Sequence, residues 1–181
     1  MRKTLRLLAL STVLVAAIAF PAAASAVTPG TYTPTPGSFD PANAPGSSFL
    51  KSGTVECVVA ANLDVNCSSY VLGGVGNTNA NVSLSATYSA TINCTNKGGN
   101  LVESHTTTFS DSSTATVAST RNGQLRVPAQ SASAFGAPQV CPNPNWTPSI
   151  APGTLTLESF TYTLTFAGFS SPYITITASD P

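Results

Sequence analysis

The side chains that could support acid–base or nucleophilic catalysis in this chain are few and far apart in sequence. His105 is the only histidine, and it lies in a strand-like stretch between Ser104 and Thr106. A Ser-His-Asp triad would require the fold to bring Asp111 or Asp64 to His105, and no G-x-S-x-G turn marks an activated serine. A lone imidazole needs an orienting carboxylate and a nucleophile within hydrogen-bond reach. We therefore expect no catalytic residue and interpret His105 as a polar surface residue.

Paired carboxylates and metal ligands are also sparse. Glycoside hydrolysis needs two carboxyl groups about 5–9 Å apart. The candidates fall one by one on separate predicted strands, so we interpret them as solvated surface groups: Glu56, Asp64, Glu103 and Glu158. No D-x-D loop gathers oxygen ligands for calcium, and the cysteines lack the C-x2–4-C spacing of a zinc site. The sequence predicts no metal site and no cofactor, although a hydrolase with His105 or a carboxylate pair in a cleft remains an alternative.

The first 26 residues have the pattern of a cleaved signal peptide. A basic start is followed by the apolar run 7–20, which is shorter than the roughly 20 residues that span a bilayer. Ala24-Ser25-Ala26 then provides a small-x-small cleavage site. We therefore predict a secreted, extracellular protein.

Two segments follow the predicted cleavage site. Residues 27–46 hold five prolines, which remove backbone donors and exclude a central strand. This pattern predicts a Pro-rich extended arm that is a plain spacer or else an ordered edge strand or stalk. Residues 47–181 are predicted to form the β-sandwich domain.

The charge of the secreted chain limits its partners. Four basic residues, Lys51, Lys97, Arg121 and Arg126, stand against seven acidic ones, so the net charge is −3. Because no basic patch is present to neutralise phosphates, we expect no binding to nucleic acid and no membrane binding after cleavage. A surface rich in hydroxyl and amide groups instead suits a cell-wall glycan or a protein partner.

The periodicity after residue 47 is that of β-strands. The clearest case is 82–94, in which apolar and polar residues alternate without a slip, as in a strand with one buried face. We predict a turn at Asp111-Ser112-Ser113, a β-bulge where the parity changes at Glu158-Ser159, and eight or nine short strands in total. The fold class that accommodates this pattern is all-β, a two-sheet antiparallel sandwich of immunoglobulin-like type, with a small barrel or jelly roll as the alternative.

The four cysteines are expected to form two disulfides, as is usual for an even number in an exported chain. Cys57 and Cys67 lie symmetrically about Asn62, the predicted turn of a hairpin, so they should face each other on paired strands. Cys94 and Cys141 then pair by elimination. Their loop of 46 intervening residues should stabilise the fold by roughly 3–4 kcal/mol in the chain-entropy model.

The two loops that carry Cys94 and Cys141 would meet at one end of the domain. They hold the only tryptophan, Trp146, together with four amides: Asn96, Asn100, Asn143 and Asn145. An aromatic ring can pack on the C–H faces of a sugar while amides bind its hydroxyls, so these five residues form a candidate carbohydrate-binding site. Three alternatives stay open: Trp146 packs over the disulfide, the asparagines serve turn geometry, or 137–148 is the loop of a protease inhibitor.

Three motifs carry a family resemblance. They are Gly73-Gly-Val-Gly-Asn77, Cys94-Thr-Asn-Lys-Gly-Gly-Asn100 and Cys141-Pro-Asn-Pro-Asn-Trp-Thr147. In this order, over roughly residues 54–179, the chain resembles a group of small secreted β-sandwich proteins of actinobacteria. The resemblance implies an extracellular sandwich and carries no catalytic activity over to this chain. The sequence thus favours a non-enzymatic extracellular protein that acts in binding or as a surface component.

Overall fold

The computed structural model describes residues 26–136 and 139–179, so almost all of the predicted signal peptide lies outside the described residues. The described residues form mainly strands, with one short 3-10 helix at Pro41–Asn43. The strands are β1 Gly30–Tyr32, β2 Phe49–Gly53, β3 Cys57–Val59, β4 Val65–Cys67, β5 Tyr70–Gly73, β6 Ala80–Thr95, β7 Leu101–Val117, β8 Gln124–Val127, β9 Gln130–Ala132, β10 Thr147–Ile150, β11 Thr156–Phe166 and β12 Ile174–Ser179.

The strands pair antiparallel in three hydrogen-bonded sheets. The largest contains β6, which pairs with β7 along one edge and with β11 and β10 along the other, and β11 in turn pairs with β12. The smaller sheets have the orders β1-β3-β4-β9 and β2-β5-β8, and residues of both pack against the inner face of the largest sheet. The predicted all-β sandwich of antiparallel sheets is confirmed.

The alternation predicted for 82–94 is confirmed by β6. Its even-numbered residues from Ala80 to Cys94 are buried, and its odd-numbered residues point outward. The hydroxyl proton of Tyr88 is shared between the carbonyl oxygens of Ala132 and Leu63, at 3.2 and 3.3 Å, and so links the large sheet to the opposite layer. A second link between the layers is a buried hydrogen bond between the hydroxyls of Tyr70 and Tyr162, which lie 2.9 Å apart.

The turn predicted at Asp111-Ser112-Ser113 is wrong, because this segment lies within the continuous 17-residue strand β7. Asp111 and Ser113 lie on the inner face of β7 and make hydrogen bonds there. The Asp111 carboxylate accepts the N–H of Ser133 at 2.9 Å, and the Ser113 hydroxyl donates to the side-chain oxygen of Gln130 at 2.6 Å. These bonds satisfy polar groups that would otherwise favour a turn.

The Pro-rich segment 27–46 packs along the sandwich instead of leaving it. Its strand β1 pairs with β3, and Val27 is buried while its N–H donates to the carbonyl of Leu157 at 2.8 Å. The Tyr32 ring meets the Phe160 ring edge-on at 5.2 Å. Of the alternatives left open for this segment, the structure shows the ordered edge strand, since β1 lies at the edge of its sheet, a position that proline-rich segments tolerate.

Both predicted disulfides and the predicted bulge are confirmed. Cys57 and Cys67 face each other in the β3–β4 hairpin with Cα atoms 3.9 Å apart. Cys94 on β6 bonds Cys141, with Cα atoms 5.9 Å apart. The pairing of β11 with β6 shifts between Leu157 and Ser159, where the change in parity placed the bulge. Residues 26–136 and 139–179 form twelve strands, more than the eight or nine expected, because short strands such as β9 and β10 carry little periodicity.

Candidate functional site

The two cysteine-bearing loops lie side by side at one end of the largest sheet. Thr147, the first residue of β10, pairs with Thr95, the last residue of β6. The residues next to this pair, Trp146 and Asn96, therefore begin the two loops at the same level. The disulfide of Cys94 closes the arrangement from the inner face, and we call this region the cystine end.

Trp146 is half-buried against the core of the cystine end. Its side chain packs against a small cluster of buried residues: Ala90, Ile92, Cys94 and Cys141. Ile150 and Leu155 pack on the same cluster beside the indole. Trp146 thus covers the disulfide region with part of its surface and leaves the rest to solvent.

Of the four asparagines of the candidate site, two accept hydrogen bonds within their own turns and two are exposed. The side-chain oxygen of Asn96 accepts the N–H groups of Gly98 and Asn100, at 2.9 and 3.1 Å, and so holds its own turn. The side-chain oxygen of Asn143 likewise accepts the N–H of Asn145 at 2.9 Å. Asn100 and Asn145 are exposed. The structure therefore brings the four amides to one end, with Asn96 and Asn143 engaged in local turns.

A pocket of about 520 Å³ opens along β10 and the turn after it, and shares Ile150 and Leu155 with this cluster. Its walls carry no charged group and are mainly apolar: Phe135, Gln139, Pro148, Ser149, Ile150, Ala151, Pro152, Gly153 and Leu155. The Phe135 side chain is 69% exposed at the rim, and nearby in the chain Val140 is 71% exposed. Sequence reasoning missed Phe135, because an aromatic residue in a loop of small residues belongs to no apolar period.

The structure separates the groups that a catalytic triad would need. His105 lies opposite Ile92 on the inner face of β7, with its Nδ1 atom 3.7 Å from the Glu103 carboxylate. Asp111 is six positions further along the same strand, which is about 20 Å at 3.3–3.4 Å per residue. Asp64 accepts a hydrogen bond from the Asn62 side chain at 2.7 Å.

The two aspartates considered for the triad instead lie near a buried tyrosine. Burial raises the pKa of Tyr88, and the charges of Asp64 and Asp111 raise it further. Both carboxylates therefore disfavour ionisation of this phenol, which keeps its proton for the hydrogen bonds to the opposite layer. Within residues 26–136 and 139–179, no three His, Cys, Asp or Glu side chains cluster in a way that would hold a metal ion.

Replacing His105 with alanine should leave the folded state nearly unchanged. The imidazole is about one-third exposed and its single charged neighbour, Glu103, is more than one-third exposed, so an ion pair between them contributes little. We expect a change of less than about 0.5 kcal/mol in the free energy of unfolding of the monomeric chain, measured by urea denaturation at low protein concentration. A hydrolytic activity of the purified protein that disappears in a folded His105→Ala variant would contradict the non-enzymatic interpretation.

Comparison with models of known protein families, with curated proteins and with solved structures found no match. Among the described residues, no helix has the length and apolar character needed to cross a membrane.

Proposed function

We propose that this chain is an exported, non-catalytic β-sandwich protein that binds an uncharged, mainly apolar ligand at the cystine end. The observation that carries the proposal is the pocket of about 520 Å³, whose size and apolar walls are those of ligand sites in proteins. The exposed Phe135 at its rim offers an aromatic anchor that a soluble protein would otherwise expose at a cost.

Export is supported by two features of different kinds. The first 26 residues have the basic, apolar and small-residue regions of a signal peptide. All four cysteines are disulfide-bonded, as is usual in an oxidising compartment. An extracellular location agrees with the resemblance to small secreted β-sandwich proteins of actinobacteria. We also propose that the sandwich is of immunoglobulin-like type.

A neutral glycan is the second candidate ligand. Trp146 presents part of its ring beside Asn145, and the exposed Asn100 lies on the adjoining loop. Such a set could stack on a sugar ring and bind its hydroxyl groups. The apolar pocket and the Trp146 ring both lie at the cystine end. Binding of apolar and of sugar probes at this end can therefore distinguish the two candidate ligands.

Trp146 is the only tryptophan of the chain, so its fluorescence reports directly on this end of the protein. We expect a medium-chain fatty alcohol to shift the emission with saturable binding. Phe135→Ser should weaken this binding about tenfold, the loss of one aromatic contact of about 1.4 kcal/mol. Phe49→Ser is the matched control, because Phe49 is also an exposed phenylalanine but lies on β2.

The outcomes separate the candidates. Saturable shifts with cellohexaose or chitin oligosaccharides, and none with the fatty alcohol, would favour the glycan. Equal loss of binding in the Phe49 and Phe135 variants would place the site elsewhere. If none of these probes shifts the Trp146 emission, the proposal of a ligand site at the cystine end is wrong.

A further inference from the structure

The longest strand among the described residues, β7, has one unpaired edge. β7 pairs with β6 from Leu101 to Val117, and within the described part of the chain no strand pairs with its other edge. Alternate residues of an edge strand present unpaired N–H and C=O groups, which can pair with another strand. An edge of 17 residues is about three times the usual length of a strand.

Apart from inward-pointing ionisable residues, this edge lacks the features that usually protect edge strands from pairing. β7 contains no proline, lysine or arginine, and its pairing with β6 is regular from Glu103 onward. Its three ionisable residues, Glu103, His105 and Asp111, all lie on the inner face, and Asp111 is already bonded to the N–H of Ser133. Its outward residues from 104 to 116 are all serine or threonine, so no charge on that face repels an approaching strand.

We propose that β7 pairs antiparallel with β7 of a second copy of this chain, with Thr108 at the two-fold axis. Two copies of one strand are self-complementary in this orientation, since each residue i then faces residue 216 − i of the other copy. Residues 101–115 of both copies would pair, giving a shared ladder about 50 Å long. The site is the free edge of β7, and its occupant is a second copy of the same edge.

The polar residues of the inner face select this register. With Thr108 on the axis, His105 of each copy faces Asp111 of the other, so a nitrogen donor meets a carboxylate acceptor twice. Nδ1 of His105 is buried and has no hydrogen-bond partner within the described residues, with Glu103 3.7 Å away. Moving the axis to Thr107 would place Glu103 opposite Asp111, and directly opposed like charges are unfavourable.

The dimer would also extend the outer surface of the sheet. The two-fold axis that relates antiparallel edge strands is perpendicular to the sheet, so both outer faces point to the same side. The outward residues of β6 and β7, from 81 to 95 and from 104 to 116, are all Ser, Thr or Asn. Cross-strand hydrogen bonds order this face, as between Thr87 and Ser110 and between Thr91 and Thr106, each at 3.2 Å.

Sedimentation of the secreted chain over a range of concentrations tests the proposal. We expect a species of twice the chain mass that dissociates on dilution. Thr108→Lys should make it monomeric, because two ammonium groups would meet at the axis. Thr161→Lys is the matched control: it makes the same change at an exposed threonine of the same face, but on β11, which is paired along both edges.

Oxidation of cysteine variants tests the register independently of stability. Two Thr108→Cys side chains would face each other with Cβ atoms about 5 Å apart and should form a disulfide-linked dimer. Thr116→Cys should not, because its two copies would lie roughly 50 Å apart along the ladder. The native cysteines do not interfere, since all four are disulfide-bonded. A wild-type chain that stays monomeric, a dimer that survives Thr108→Lys, or equal cross-linking of both cysteine variants would overturn the proposal.

Discussion

Raising the pH from 10 to 12 should lower the free energy of unfolding by about 4 kcal/mol through two tyrosines, Tyr70 and Tyr162. Their hydroxyls lie 2.9 Å apart between β5 and β11, inside the sandwich. Burial raises the pKa of Tyr162 to about 12, although the hydrogen bond from Tyr70 lowers it. Burial, with the neighbouring Tyr162, raises the pKa of Tyr70 far above its ordinary value.

The sign of this effect follows from proton binding. Above pH 10 the unfolded chain releases both phenolic protons, while the folded chain keeps them until its higher pKa values are reached. The stabilisation is therefore fully present well below pH 10 and is lost above it at up to about 1.4 kcal/mol per pH unit for each tyrosine. The loss from Tyr162 levels off near pH 12, where its own phenol ionises in the folded state. Since small domains have only about 5–15 kcal/mol of stability, this loss should bring the protein close to unfolding.

The double variant Tyr70→Phe/Tyr162→Phe isolates the two hydroxyls. It keeps both rings and removes both partners of one hydrogen bond together, a change that is nearly neutral when no group is left unpaired. We expect urea unfolding at neutral pH to be little altered and the decline between pH 10 and 12 to be shallower by about 2 kcal/mol per pH unit. Identical pH profiles for the variant and the wild type would show that these phenols are not the groups responsible.

The parts of the fold that were predictable from sequence are those in which one physical signal dominates. β6 alternates without interruption because one of its faces is buried along its whole length, and the bulge in β11 leaves a change of parity. The disulfide pairing followed from hairpin symmetry around Asn62, which fixed one pair and left the other.

The features that were missed or left open depend on contacts between distant segments. Asp111 has the local preference of a turn residue, but in the fold it bonds the N–H of Ser133, 22 residues away. The Pro-rich segment has no β period, and it is ordered by individual contacts such as that of Tyr32 with Phe160. Phe135 likewise lies in a loop, so its place at the rim of the pocket depends on β10 packing next to it.

At the cystine end, the meeting of the two loops was predictable from sequence, but the roles of the four asparagines were not. The disulfide of Cys94 and Cys141 implied that their loops meet, and the pairing of Thr95 with Thr147 brings them side by side. The roles of the amides could not be assigned from sequence, because an asparagine that holds a turn and one that faces solvent have the same local pattern. Asn96 and Asn100 differ in this way within a single loop.

Leu84→Ala should destabilise the protein by about 2–5 kcal/mol, whereas Ser85→Ala should cost much less. Leu84 is fully buried in the middle of β6, between Ser113 of β7 and Tyr162 of β11. Its truncation removes apolar contacts and leaves a cavity that the surrounding rings and strands can fill only in part. Because Leu84 adjoins Tyr162, some loss of rigidity around the tyrosine pair should accompany the lower stability.

Ser85 is the matched control for this substitution because it is the next residue on the same strand and points to the opposite face. It is exposed and lies between Ser112 and Thr161, so alanine there leaves no cavity and no buried polar group without a partner. The two variants should therefore differ widely in urea midpoint, with similar dependence of the unfolding free energy on urea concentration. Equal midpoints would mean that the outward and inward faces of β6 are assigned incorrectly, and with them the face on which the two sheet layers meet.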